Sequence, residues 1–208
     1  MIFEMKLSKS HIEIFFNNDK KNCTFHHFYT SDHITLLNIP KCASTSLLNY
    51  FNAIKNLVHH GNRYIVFLRD PLQRIKSAFK MKCRNEYSNK DFSYTISKYQ
   101  NFLFKSSVPY QHYNDMIHFI PQIDFIKCLN KKFDFIGNTK NLQHSINQLN
   151  TLLNVKNFTI SSENSNTLSY EDNVRFNDAF NRIYHDNKKL YDDYLKEDQK
   201  FYDNNFKN

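Results

Sequence analysis

The chain has 208 residues, 40% of them hydrophobic and 16% aromatic, with 20 Phe and 13 Tyr, and carries a formal net charge of +8. That length suits one domain with a sizeable core, and the aromatic content excludes an intrinsically disordered chain. The excess of cations suits an anionic cofactor, an acidic acceptor or nucleic acid. The only glycines are Gly61 and Gly137, so neither G-x-x-x-x-G-K nor G-x-G-x-x-G can be written in the chain, which argues against an ordinary ATPase, kinase or dinucleotide-binding dehydrogenase. Cys23, Cys42, Cys83 and Cys128 form no C-x-x-C pair; they read as reduced thiols of a cytosolic protein rather than as a zinc site. No apolar run is long enough for a membrane span, and the N-terminus lacks a signal-peptide core, so a soluble, cytoplasmic protein is expected.

Residues 1–30 are expected to form an N-terminal strand or hairpin extension, with a strand at His11–Phe16 and a turn at Asn17–Asp19. The organising stretch follows. Ile34, Leu36 and Leu37 form a short apolar strand that Pro40 stops, and Leu47, Leu48, Phe51, Ile54 and Val58 recur at helical spacing. Between them lie Lys41, Cys42, Ala43, Ser44, Thr45 and Ser46. A strand, a turn of small hydroxyl residues with one lysine, and a helix start make an anion site: free N–H groups and the helix dipole favour negative charge, and Lys41 adds a mobile cation.

After Val58-His59-His60-Gly61, the continuous apolar run Tyr64–Leu68 predicts a strand buried on both faces of a parallel sheet. Arg69 then falls at the carboxyl end of a strand, where open α/β sheets bind ligands. Pro71 is placed to begin a helix, with Leu72, Ile75 and Phe79 on its apolar face and Arg74 and Ser77 pointing elsewhere.

Residues 80–112 interleave Lys and Arg with Tyr87, Phe92, Tyr94, Tyr99, Phe102 and Phe104. The pattern fits helices with an aromatic core face and a solvated basic face better than a stacking surface for single-stranded nucleic acid. Next come Met116–Gln122 with His118, and a strand at Phe133–Gly137. Asn138 and Thr139 can cap a helix that carries Leu142, Ile146, Leu149 and Leu153 on one face. Phe158–Leu168 reads as a polar loop. Phe176, Phe180, Ile183, Leu190, Tyr191 and Tyr194 predict one or two closing amphipathic helices, followed by a frayed tail at 197–208. No boundary divides 1–208.

Two segments carry a family resemblance. Ile39-Pro40-Lys41-Cys42-Ala43-Ser44-Thr45-Ser46 resembles the 5′-phosphosulfate loop of sulfotransferases that use 3′-phosphoadenosine 5′-phosphosulfate (PAPS), and Arg69–Phe79 resembles their 3′-phosphate segment. His118-Phe119-Ile120-Pro121-Gln122 and Asp134-Phe135-Ile136-Gly137 are similar to segments of the Golgi-type carbohydrate sulfotransferases. The resemblance implies a three-layer α/β, P-loop-like fold with a mainly parallel central sheet flanked by helices. It also implies PAPS as sulfuryl donor, a hydroxyl acceptor such as a carbohydrate, and no metal. In it, backbone N–H groups of Cys42 to Ser46 with the hydroxyls of Ser44, Thr45 and Ser46 hold the 5′-phosphate. Arg69 and Ser77 hold the 3′-phosphate, and Lys41 neutralises charge on the leaving oxygen.

Several branches place a His or Glu base between the two motifs. No Asp or Glu lies between Lys41 and Arg69, so His59 or His60 is the expected base, with His118 next. Two other readings stay open: a basic nucleic-acid-binding protein, and a protein of the same fold that binds 3′,5′-adenosine bisphosphate (PAP) or another nucleotide without turnover.

Overall fold

The computed structural model describes residues 28–86, 91–104, 116–129, 132–156, 158–160 and 168–207. The expected strand at His11–Phe16 and most of the 158–168 loop lie outside them. In chain order the described elements begin with β1 (Phe28–Thr30), β2 (Ile34–Leu37), α1 (Ser44–Ile54), β3 (Arg63–Leu68), α2 (Pro71–Asn85) and α3 (Phe92–Phe104). They continue with α4 (Gln122–Leu129), β4 (Phe135–Asn138), a 3₁₀ turn (Thr139–Asn141), α5 (Leu142–Leu153), α6 (Tyr170–Asp186) and α7 (Lys188–Phe206).

The sheet runs β1-β2-β3-β4. β1 pairs antiparallel with β2, through a turn that Ser31 fastens by exchanging hydrogen bonds with Ile34. β2, β3 and β4 are parallel, with Leu36 opposite Ile65 and Phe67 opposite Gly137. Alternation along the strands sends side chains to two faces. Ile34, Leu36, Ile65 and Phe67 pack against Leu47 and Phe51 of α1 and Ile146 and Leu149 of α5. Leu37, Val66 and Leu68 pack against Phe125 of α4 and Tyr202 of α7. Helices therefore cover both faces, giving the three-layer, mainly parallel α/β architecture expected.

Asp134 and Gly137 explain themselves in this sheet. Asp134 accepts from the Tyr64 N–H at 2.9 Å and from Arg63 Nη1 at 3.1 Å, fixing the register of β4 on β3. Gly137 lies under the Phe67 ring, where a Cβ would fall 2.4 Å from it. At the other end of β4, Asn138 caps the 3₁₀ turn by accepting from the Lys140 N–H.

A second core is helical. Ile75, Phe79 and Cys83 of α2, Ile96 and Tyr99 of α3, Phe176 and Phe180 of α6, and Tyr191 and Leu195 of α7 form one buried cluster. Phe79 meets Phe119 edge-on at 4.8 Å between centroids. Of the aromatics of the basic stretch, Phe92 and Tyr99 belong to this cluster and Phe102 and Phe104 pack against it, while Tyr94 is exposed.

The frayed tail expected from residue 197 is replaced by the end of α7, which is helical to Phe206. Tyr191, Leu195, Asp198 and Tyr202 recur on one face of α7 and all are buried; the apolar stripe carries the helix past the point where the polar composition suggests fraying. Among the described residues no helix is long and apolar enough to cross a membrane.

Candidate donor site

The loop after β2 is built on strained backbone. Lys41 has φ 68° and Ala43 φ 60°, left-handed values that cost a residue with a Cβ about 1–2 kcal/mol each. These two residues supply the turns that glycines supply in the usual phosphate loop, so the scarcity of glycine did not exclude a phosphate-type loop. Cys42 N–H donates to the Ile39 carbonyl at 3.1 Å and closes the turn. Ala43 is the N-cap of α1 and has no side chain to cap it; the first helical bond runs from Leu47 N–H to the Ala43 carbonyl at 3.0 Å. The N–H groups of Ser44, Thr45 and Ser46 thus have no acceptor within the helix, and the positive end of its dipole is uncovered.

Not every loop group serves as a donor. The Cys42 N–H is consumed by Ile39, its thiol donates to Gln122 Oε1 at 3.0 Å, and burial pushes that thiol up to about 11. Cys42 is therefore a structural member of the loop, contrary to the expected role of its N–H. The Ser44 hydroxyl donates to the Ile39 carbonyl at 3.3 Å. Thr45 is exposed and Ser46 is buried.

Arg69 stands where β3 ends. Its Nη1 donates to the Lys41 carbonyl at 3.3 Å, which joins the two segments that the sequence singles out. Asp70 caps α2 by accepting from the Gln73 N–H at 2.9 Å, and Pro71 opens the helix. One turn on, Arg74 is almost wholly buried. Its Nε donates to the Pro40 carbonyl at 2.9 Å, its guanidinium lies 6.0 Å from the Phe125 ring centre, and its Nη2 finds no acceptor among the described residues. Ser77 is half-buried and sits three residues beyond Arg74, on the same side of α2.

Burial and the like charges of Arg84, Lys82, Arg69 and Arg74, in that order, bring the Lys41 ammonium down to about 8. Burial also lowers Arg69. A concentration of cations that depresses its own members is a site poised for an anion, which would relieve the repulsion.

Beside this cluster a cleft of about 1050 Å³ opens at the carboxyl ends of β3 and β4. Ala43, Ser46, Arg69, Asp70, Asn138 and Tyr202 are among its walls, so the starts of α1, α2 and the 3₁₀ turn all face it. Lys41 and Ser77 do not line it. The far wall is fixed by Tyr202 Oη donating to Asn138 Oδ1 at 3.1 Å. The cleft is of nucleotide size, and the start of α1, the Arg69 guanidinium and the Ser46 hydroxyl on its walls are groups suited to an anion.

His59 and His60 are not part of this constellation. Both are exposed in the connection between α1 and β3. In a parallel strand–helix–strand unit that connection lies at the end of the sheet opposite Arg69. Six residues of β3 at about 3.3 Å each separate them by roughly 20 Å. The expectation of a base there is corrected by topology. His118 is half-buried on the turn that leads into Gln122, and Gln122 contacts both Arg69 and Cys42.

Sequence reasoning missed Arg74, Asp198 and Tyr202, and met Gln122 only as the end of the His118–Gln122 segment, without a role. Arg74 was set aside because it falls off the apolar face of α2. Asp198 did carry a signal, since it occupies an apolar position of α7 between Leu195 and Tyr202.

No curated protein and no solved structure matches the chain. Residues 52–206 match the Sulfotransferase family, a family that includes the Golgi-type carbohydrate sulfotransferases. The matched span holds Arg69, Ser77, Gln122 and Asp198 and begins within α1, after the Lys41 loop. It covers most of the chain, and the chain belongs to the sulfotransferase family.

Proposed function

We propose that the protein transfers a sulfuryl group from PAPS to a hydroxyl, most directly that of a carbohydrate. The observation that carries this reading is the junction of Lys41 with Arg69 beside the uncapped start of α1. PAPS would supply the activated sulfuryl group. The N–H groups of Ser44, Thr45 and Ser46 and the Ser46 hydroxyl are suited to its 5′ end, and Arg69 and Ser77 to its 3′-phosphate. Lys41, mostly charged near neutral pH and held in that form by a bound anion, would offset charge growing on the leaving oxygen. Such preorganised charge carries most of the rate in transfers of this electronic type.

His118 is the group we assign to take the acceptor's proton, as a neutral imidazole near pH 7. Its support is its place on the turn before Gln122, at the donor end of the sheet. The carbohydrate acceptor rests on the similarity of His118–Gln122 and Asp134–Gly137 to carbohydrate-branch segments. The reading places the whole of 1–208 in one domain.

The test is transfer of labelled sulfate from PAPS to a panel of mono- and oligosaccharides, with simple phenols and alcohols alongside. A sulfated saccharide supports the proposal in full. Sulfation of phenols alone moves the acceptor class. Tight PAP binding with no product from any acceptor favours a nucleotide-binding protein without turnover.

A further inference from the structure

One buried carboxamide that belongs to neither of the two candidate phosphate-binding segments bonds to both of them. Gln122 opens α4 and is 1% exposed. Its Oε1 accepts from the Arg69 N–H at 2.8 Å and from the Cys42 thiol at 3.0 Å. Its Nε2 donates to the Arg69 carbonyl at 2.7 Å and to Asp198 Oδ2 at 3.3 Å. A primary amide has two acceptor positions and two donor hydrogens, and here all four are used. Asp198, also 1% exposed, uses its other oxygen to accept from the Ile123 N–H at 3.0 Å, so α7 caps the start of α4.

We propose that Gln122 is a positioning residue of the donor site, locking the Lys41–Ser46 loop to the end of β3, with Asp198 holding the second hydrogen of its amide; this rests on the PAPS reading above. The chemistry permits only one orientation. Turned over, the amide would set N–H against the Arg69 N–H and oxygen against both the Arg69 carbonyl and the Asp198 carboxylate. The N–H and carbonyl of Arg69 thus fix which end of the amide meets which, and Asp198, by accepting the second Nε2 hydrogen, supports the same orientation. Through Cys42 the same oxygen reaches the residue next to Lys41. Arg69 and Lys41 are consequently placed by a group that touches no ligand. Through Asp198, the segment from 197 that reads as a frayed tail becomes part of the donor site's support.

The test compares the wild-type protein with Gln122→Leu and Asp198→Asn. Each is checked for a cooperative thermal transition and titrated with PAP and with adenosine 5′-monophosphate. Leucine keeps the volume and removes all four bonds. Asparagine keeps the shape of Asp198 but presents N–H to Gln122 Nε2 when its oxygen stays on the Ile123 N–H. Outer partners that orient ligand-binding groups cost roughly 10–100-fold in affinity when removed from metal sites, and a loss of that order in PAP affinity is expected for Gln122→Leu. The preference for PAP over adenosine 5′-monophosphate should shrink with it, because Arg69 is the group for the 3′-phosphate. Asp198→Asn should move the same preference in the same direction. A merely structural role would lower the melting temperature and leave the preference intact.

If PAP binds the wild-type protein and both folded variants alike, the positioning role is wrong and the donor reading stands. If Gln122→Leu does not fold, Gln122→Glu, which keeps the shape but sets a second oxygen against the Arg69 carbonyl and Asp198, takes its place, and an unchanged preference there overturns the role. If PAP does not bind the wild-type protein, the donor reading falls and this role with it.

Discussion

Arg69 donates its Nη1 hydrogen to the backbone carbonyl of Lys41 at 3.3 Å. A guanidinium that braces a loop carbonyl with one nitrogen keeps its others for a ligand. Arg69 therefore does two things at once: it shapes the loop and faces the cleft. Arg69→Ala should weaken PAP by about 1.5–3 kcal/mol, the range for a hydrogen bond to a charged group. Ser77→Ala should cost less, as it removes only a hydroxyl. Both should leave adenosine 5′-monophosphate binding closer to wild type than PAP binding. Titration of the two nucleotides checks this, and equal losses for both would place the 3′-phosphate elsewhere.

Lys41→Ala should reduce single-turnover sulfation by about 10²–10³, as removal of one preorganised donor does in other transfers, with a smaller effect on PAP affinity. The Lys41 ammonium also sets a pH dependence. Its folded value of about 8 lies below the 10.5 of a free lysine. Between those values the unfolded chain holds the proton and the folded chain does not, so this group makes the unliganded protein more stable as pH rises through that window. PAP acts in the opposite sense, because an anion favours the charged form. PAP affinity should be flat just below pH 8 and fall above it, towards a tenfold loss per pH unit. Lys41→Arg, charged throughout, should abolish the fall. Calorimetric titration from pH 7 to 9.5 measures it.

The strand–turn–helix of the donor loop and the start of α2 at Pro71 were legible in the sequence, because each is a local event; Asn138 was legible as a cap, but it caps the 3₁₀ turn and not α5, whose N-cap Asn141 makes no side-chain bond. Apolar spacing, a proline at the first helical position and a capping amide act within a few residues. The left-handed turns at Lys41 and Ala43 were not legible. Propensity assigns such backbone to glycine, and here the surrounding bonds from Cys42, Arg69 and Arg74 hold it in place of intrinsic preference. The Gln122 network was not legible either, since its partners lie 53, 76 and 80 residues away in sequence. The misplacement of the base was avoidable in principle. The parallel pairing of β2 and β3 already dictates that a connection following the intervening helix returns to the far end of the sheet.

That topology makes a sharp prediction for the histidines. His59→Ala and His60→Ala should leave the single-turnover rate near wild type. His118→Ala should lower it by about 10²–10⁴ with PAP binding intact, and should remove the acidic limb of the pH–rate profile. Loss of rate in a His59 or His60 variant would require those residues to reach an acceptor from roughly 20 Å away, and would overturn the site geometry.

Gly137 tests the sheet that carries the site. The Phe67 ring that a Cβ at this position would strike is itself fully buried, and the Phe135 ring stands 3.0 Å from the same point. Neither can move aside freely. Gly137→Ala should cost about 1–3 kcal/mol, the usual penalty of overpacking a close-packed core. Urea denaturation should show a lower midpoint with an unchanged slope. A neutral substitution would mean that β3 and β4 are further apart than this register gives.

The most direct measurement of the donor-site assignment is thermal unfolding with PAP or with ATP. A ligand at a hundredfold excess over its dissociation constant stabilises the folded state by about 2.7 kcal/mol. In a chain of this size each kcal/mol moves the midpoint by about 2–4 °C. PAP should therefore raise the melting temperature by roughly 5–10 °C, while ATP, which has no 3′-phosphate for Arg69 and Ser77, should raise it little. Equal shifts from the two nucleotides, or no shift with PAP, would contradict a PAPS site built from Lys41, the start of α1 and Arg69.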